Sequence, residues 1–177
     1  LLDQSLTYTR TLVSRLSPTI LYDAGLLPAV RWLADQLEKD GLKVAVHGVE
    51  VKMPDDTAIL FFQGVRELLY NVIKHARTRF AEVLVDYYDG ELLVEVSDQG
   101  EGFDPNAALQ GPSADGQFGL FNVRERIEAA GGTFDLFAAP GRGTRVLLRM
   151  PLEHTEEAPL PARLPPVPKV ISPTPPT

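Results

Sequence analysis

The chain has no cysteine among its 177 residues. That excludes disulfides, thiolate metal sites and cysteine nucleophiles, and it is compatible with a reducing compartment. Histidine is scarce: His47, His75 and His154 are the whole supply. No apolar run approaches the ~20 residues that span a bilayer, and no basic-then-apolar leader opens the chain. Basic runs are missing as well, and the formal net charge is -7. Both facts argue against a nucleic-acid surface and against direct contact with an anionic membrane. Internal repeats are absent. The first residue is Leu rather than Met, which suggests a fragment of a longer protein.

What is present is ordinary for a globular chain, with 44% hydrophobic residues and enough length for one domain with a sizeable core. Leu2, Leu6, Thr9, Val13 and Leu16 recur in steps of four and three, a short helical seam suited to packing on another helix. "SP" at 17–18 stops it. "GLLPAVRWLADQLEKDG" (25–41) predicts an amphipathic helix closed by Gly41, and "LKVAVHGVEV" (42–51) alternates like a strand. "PDDT" (54–57) starts a long helix. Residues 81–104 predict a hairpin about Asp89-Gly90. Residues 105–118 form a loop, 119–132 a helix ending at a Gly pair, and 133–152 a second hairpin about "PGRG". Eight prolines between Pro159 and Thr177 predict a disordered or polyproline-like tail. The fold class expected is α+β: a two-layer sandwich of a mixed, mostly antiparallel sheet covered on one face by helices.

Three features carry chemistry. The first is "RELLYNVIKHA" (66–76), where Glu67, Asn71, Lys74 and His75 share a stripe beside the apolar face of Val65, Leu68, Leu69, Val72, Ile73 and Ala76. Asn71 offers a neutral oxygen to a hard cation such as Mg2+, which keeps phosphates and waters in its shell. Lys74 and His75 offer N–H groups to phosphates, and Glu67 can orient a water or accept a proton. The second feature is Asp98. It shares parity with Leu92, Val94 and Val96, so it ends a strand on the face toward the helices. A carboxylate there needs a donor. Either its own turn supplies one, at Gly100 and Gly102, or a ligand does. The third is the pair Gly116 and Gly119 in "DGQFGL", a glycine-rich entry to a helix whose free amides suit phosphate. Each feature alone is commonplace: a solvated helix face, a turn-capping acid, an ordinary loop. Together they describe a nucleotide site.

These residues resemble the ATP-binding catalytic domain of sensor histidine kinases, within the superfamily that also holds DNA gyrase and heat-shock chaperone ATPases. "ELLYNVIKHA" is similar to that family's N box and "DQGEGF" to its first glycine box. "GQFGLFNVRERIEAAGGTFDL" with "PGRGTRVLLRMPL" is similar to its second glycine box and closing strands. The nitrate-sensor-like subgroup resembles the chain most, and "LSPTILYDAGLLPAV" (16–30) is similar to its junction between dimerisation helix and ATP domain. The resemblance covers residues 10 to 152. It implies Mg2+ on Asn71, assistance to phosphoryl transfer from Glu67, and phosphate contacts from Lys74 and His75. It also implies adenine recognition by Asp98, with Gly100, Gly102 and Phe103 shaping the pocket and Thr144 supporting it. Residues 103–118 would be a mobile lid, with Gly116, Gly119 and Leu120 closing the phosphate end. The domains implied are a dimerisation-helix end and hinge (1–24), an ATP domain (25–153) and a Pro-rich tail (154–177).

The implied function is histidine kinase activity: transfer of the γ-phosphoryl of ATP to a histidine on a dimerisation domain, for relay to a response regulator. A cytoplasmic location follows, with or without a membrane anchor on the parent. Two departures stand out. None of the three histidines has the helical context of a phosphate acceptor, so the acceptor is expected upstream. Ser17 stands where the subgroup often has Arg, which bears on the interdomain hinge. Two rivals share the fold: an ATP-binding module without kinase activity, and a serine kinase of the anti-sigma-factor type. The retained Glu67 and Asn71 weigh against the first, and the helical stub at 1–24 against the second. The tail's prolines could also dock a partner domain.

Overall fold

Two helices stop where a glycine can turn left-handed, and those stops set the layout. The structure, a computed structural model, describes residues 18–105 and 118–152. Helix α1 (Thr19–Ala24) starts after Pro18 and ends at Gly25. Helix α2 (Leu26–Lys39) follows at once, with Leu26, Leu27, Ala29, Val30, Leu33, Ala34 and Leu37 buried at helical spacing. Past its end the Gly41 amide donates to the Glu38 carbonyl and the Leu42 amide to the Leu37 carbonyl, both at 3.0 Å. With Gly41 at φ 89° and Leu37 and Leu42 both buried, this is a Schellman end with its hydrophobic contact. The same device ends α4 (Phe118–Ala129), through Gly131 to Glu128 and Gly132 to Ile127.

Strand β1 (Lys43–Gly48) leads to α3 (Asp55–Asn71), which opens with Asp55 and Asp56 at its positive end. From there the chain passes into β2 (Phe80–Tyr88), which pairs with β1 in parallel. Strand β3 (Glu91–Asp98) returns antiparallel through Asp89 and Gly90. Their φ values of 51° and 84° are what a tight two-residue hairpin requires. Strands β4 (Thr133–Ala138) and β5 (Thr144–Pro151) form the second hairpin. The sheet order is β1-β2-β3-β5-β4, and only the β1·β2 pair is parallel. It is the two-layer, mixed and mostly antiparallel sandwich expected.

One sheet face supplies Val83, Val85, Leu92, Val94, Val96, Val146 and Leu148 to a single core. Phe61, Phe62, Val65 and Leu69 of α3 and Ile127 of α4 cover it. Truncating one such side chain to Ala typically costs about 2–5 kcal/mol. Three details differ from expectation. A helix forms at Thr19–Ala24, where "SP" signalled only a stop, because Leu21 buries in the shared core. Strand β1 ends at Gly48 rather than residue 51. Gly48 adopts φ 132°, and a Cβ there would sit 1.9 Å from the Val85 carbonyl oxygen, so the backbones pass too closely to continue as a regular strand. The long helix does not stay α-helical to its end, as described below. No described helix is long and apolar enough to cross a membrane. The expectations for the helical seam before Pro18, for most of the lid and for the tail fall outside the described residues.

Candidate functional site

The end of α3 builds one wall. From Val72 to Ala76 the chain winds as a π turn and closes with Arg77 in the left-handed region at φ 51°. Such turns insert a residue and are frequent at functional sites. A wider turn advances each side chain by less than the α-helix's ~100°, so a step of four comes near one full revolution and a step of three falls short. His75 therefore joins Asn71 in lining a cavity, whereas Lys74 does not line it, although both Lys74 and His75 are largely exposed. Glu67, one turn earlier, is half-buried. A Cβ on Gly119, at the start of α4, would lie 2.5 Å from Glu67 Oε1 and 3.0 Å from Asn71 Nδ2. Only the absence of a side chain at 119 lets α4 enter against these two groups.

The opposite wall is the end of β3. Asp98 Oδ1 accepts a 2.7 Å hydrogen bond from the Gly100 amide. Burial pushes the Asp98 carboxyl up from its ordinary range, while hydrogen bonds from the Gly100 amide and from the Thr144 side chain and backbone pull it down. Its own turn thus supplies donors, and the carboxylate still lines the cavity; both sequence alternatives remain compatible. The turn is bolted to the π turn, because the Glu101 amide donates to the Ala76 carbonyl at 2.8 Å. Outside it, Arg77 and Glu101 pair at 3.1 Å. Gly102 needs its glycine: at φ 60°, a Cβ would stand 2.0 Å from the Ala139 carbonyl oxygen.

Between these walls lies a cavity of about 170 Å3. Of the residues expected from sequence, Asn71, His75, Asp98, Gly102, Phe103, Gly119, Leu120 and Thr144 line it together. Glu67 stands behind Gly119, and Gly100 packs on Ala76 beneath the Asp98 carboxylate. Gly116 lies outside the described residues. The apolar lining from Leu68, Val72, Val96 and Val146 was not singled out in the sequence. The strand parity that pointed to Asp98 also carries Val96, and Val146 is its partner across the β3·β5 register. An apolar slot with an acid at one end suits a flat heteroaromatic ring carrying an amine.

The other end is polar and incomplete. Asn71 Nδ2 is buried with no hydrogen-bond partner among the described residues, a state that costs about 1–3 kcal/mol unless a ligand relieves it. Among the described residues no group of three or more His, Cys, Asp or Glu side chains could hold a metal. A divalent ion would find the Asn71 amide oxygen and the Glu67 carboxylate nearby, and would need a ligand's oxygens for the rest. That donor set fits Mg2+ carried in on phosphates.

Comparison with known proteins agrees with this geometry. The family described as histidine kinase-, DNA gyrase B- and HSP90-like ATPase matches residues 56–154. The sensor histidine kinase NarS of Mycobacterium tuberculosis is 34% identical over 142 residues, covering 78% of this chain and 32% of that protein. The oxygen sensor histidine kinase NreB of Staphylococcus carnosus is 32% identical over 146 residues, covering 81% of this chain and 41% of that protein. The chain thus spans well under half the length of these relatives. Among solved structures, the blue-light activated histidine kinase of Erythrobacter litoralis EL346 aligns with a TM-score of 0.61 at 24% identity, over 72% of this chain and 42% of that one; this likeness speaks for the fold alone. With its ATPase domain at residues 56–154, the chain belongs to the family of histidine kinase-, DNA gyrase B- and HSP90-like ATPases, and its relatives are sensor histidine kinases.

Proposed function

We propose that this chain is the catalytic ATP-binding part of a two-component sensor histidine kinase, with ATP-Mg2+ held between the ends of α3 and β3. The observation that carries the reading is a pair of opposed groups on one cavity: the half-buried Asp98 carboxylate, and the buried Asn71 Nδ2, which has no hydrogen-bond partner among the described residues. Asp98 accepts a hydrogen bond from the adenine amine, supported by Thr144, with Gly100, Gly102 and Phe103 shaping that end. Asn71 holds Mg2+, which would screen the phosphate charge when bound. His75 and the start of α4 at Gly119 and Leu120 contact the phosphates, Gly116 belongs to the same closure, and Lys74 acts from the exposed rim. Glu67 orients or deprotonates the attacking group. Catalysis of this kind rests on positioning and charge stabilisation.

In this reading residues 1–24 end a dimerisation helix and hinge, 25–153 form the ATP domain and 154–177 the tail. The γ-phosphoryl passes to a histidine on a dimerisation domain of the parent, then to a response regulator. The location is cytoplasmic. The test supplies a histidine-bearing helical acceptor domain and assays acid-labile phosphate. Wild type should label it, Asn71→Asp should not, and Asp98→Asn should bind ATP more weakly by calorimetry. Wild-type behaviour in both variants sinks the assignment of roles. ATP binding without transfer would instead favour a module that has lost kinase activity.

A further inference from the structure

Helix α4 runs antiparallel along α3, and glycine lies at two of its close approaches. At the site end Gly119 faces Glu67 and Asn71. Further along, Val123 lies over Gly64, where an added Cβ would stand 3.5 Å from Val123 Cγ1. Glycine lets two helices come close but offers no side chain to interlock. Val123 and Ile127 hold α4 on the core, through apolar contacts that have no directional preference. The next contact is directional. Arg126 donates from Nη1 to Gln63 Oε1 at 3.0 Å, and from Nε to the Asn122 carbonyl of its own helix at 3.2 Å.

We infer that Arg126 and Gln63 are positioning residues: their bond sets the register of α4 on α3, and through it the place of Gly119 against Asn71 and Glu67. Gln63, Glu67 and Asn71 follow one another in steps of four, so the acceptor shares the stripe that carries the site. From Gln63 to Asn71 is roughly 12 Å of helix, and from Gly119 to Arg126 roughly 10.5 Å, at about 1.5 Å per residue. The two contact points thus lie about two turns apart on both helices, and a bond that fixes one fixes the other. Arginine suits the task. With Nε tied to its own helix, the planar guanidinium is held and Nη1 keeps its aim at Gln63. Arg126 is also a cation in the last turn of α4, where positive charge favours the helix end. That plainer role needs charge alone, and a Lys ammonium fills it without the second, tied donor. The inference rests on the nucleotide reading, because the place of Gly119 matters to binding only where phosphates reach it.

The test compares Arg126→Lys, Gln63→Leu and Gln63→Glu with wild type in the full chain. By calorimetry Arg126→Lys and Gln63→Leu should each bind ATP-Mg2+ about fivefold more weakly, an effect within the range seen for residues that touch no ligand. Their thermal midpoints should stay close to wild type, since the bond lies at the surface. Gln63→Glu keeps the acceptor and should keep wild-type affinity. The double variant Arg126→Lys with Gln63→Leu should be no weaker than either single one, because both remove the same bond. Adenosine, followed through the amide signals of Asp98 and Thr144, should bind all forms alike, because its ring lies at the Asp98 end. Equal ATP-Mg2+ affinity in wild type and Arg126→Lys overturns the inference and leaves the nucleotide site standing. Equal weakening toward adenosine also overturns it, since that marks a general loosening. Wild type that takes up no ATP-Mg2+ sinks the site and the inference together.

Discussion

Gly119 and Glu67 meet so closely that a single methyl on the glycine would stand 2.5 Å from the glutamate's Oε1. The contact joins the start of α4 to the polar stripe of α3 and draws Asn71 into the same corner.

Gly119→Ala is therefore expected to separate stability from function. In a helix interior Ala is favoured over Gly by about 1 kcal/mol, and by less in the first turn. The Glu67 carboxylate, at the end of a flexible chain, can swing aside. The thermal midpoint should hardly move, while ATP affinity and transfer to an acceptor domain both fall. Unchanged transfer would show that the corner is not where the phosphates lie.

Asp98→Asn should bind ATP more weakly yet fold at least as well at neutral pH. A hydrogen bond to a charged group contributes about 1.5–3 kcal/mol, so affinity should drop about tenfold or more. The stability sign follows from burial, which raises the folded-state pKa above its unfolded value of 3.8. The folded state then holds a proton that the unfolded state has released. The stability Asp98 contributes is present below the unfolded pKa and is lost as pH rises through the folded one. Asn removes that loss. Chemical denaturation of both proteins from pH 3.5 to 7 should show the variant gaining on wild type as pH rises; a gap that narrows would refute the sign.

For Asn71→Leu the apo-protein should be no less stable, because the substitution removes a buried amide nitrogen that has no hydrogen-bond partner among the described residues. Binding of ATP-Mg2+ should collapse at the same time. Calorimetry and a melting curve on one preparation check both halves, and strong destabilisation would mean that the amide already has a structural role.

The π turn separates His75 from Lys74. His75→Ala should weaken ATP binding about tenfold, the effect of one hydrogen bond to phosphate. Lys74→Ala should change it by less than roughly fivefold, as exposed charges contribute about 0.2–1 kcal/mol. The reverse ranking would mean that the segment straightens to an α-helix when nucleotide binds.

Gly102→Ala should be the most damaging of these changes. Its φ of 60° and a Cβ 2.0 Å from a backbone oxygen leave nothing able to yield cheaply. A loss of 1–3 kcal/mol, about what such strain costs, should appear in urea denaturation, with or without ATP.

Much of this protein was legible in the order of its residues, because the relevant forces act over a few positions. Alternation of Leu92, Val94, Val96 and Asp98 was enough to put the carboxylate on the covered side, since a strand's side-chain period is two. Asp89-Gly90 and the glycines at 41 and 131 announced their turns through a backbone geometry that other residues avoid. What needed the third dimension were the events decided by partners far along the chain. Thr19–Ala24 is helical because Leu21 finds a core. Val72–Ala76 widens into a π turn where the Ala76 carbonyl takes up the Glu101 amide across the fold, and His75 rather than Lys74 borders the cavity. Local pattern named the candidates for the site; which of them share one cavity was set by packing between elements, an energy that no single stretch of sequence contains.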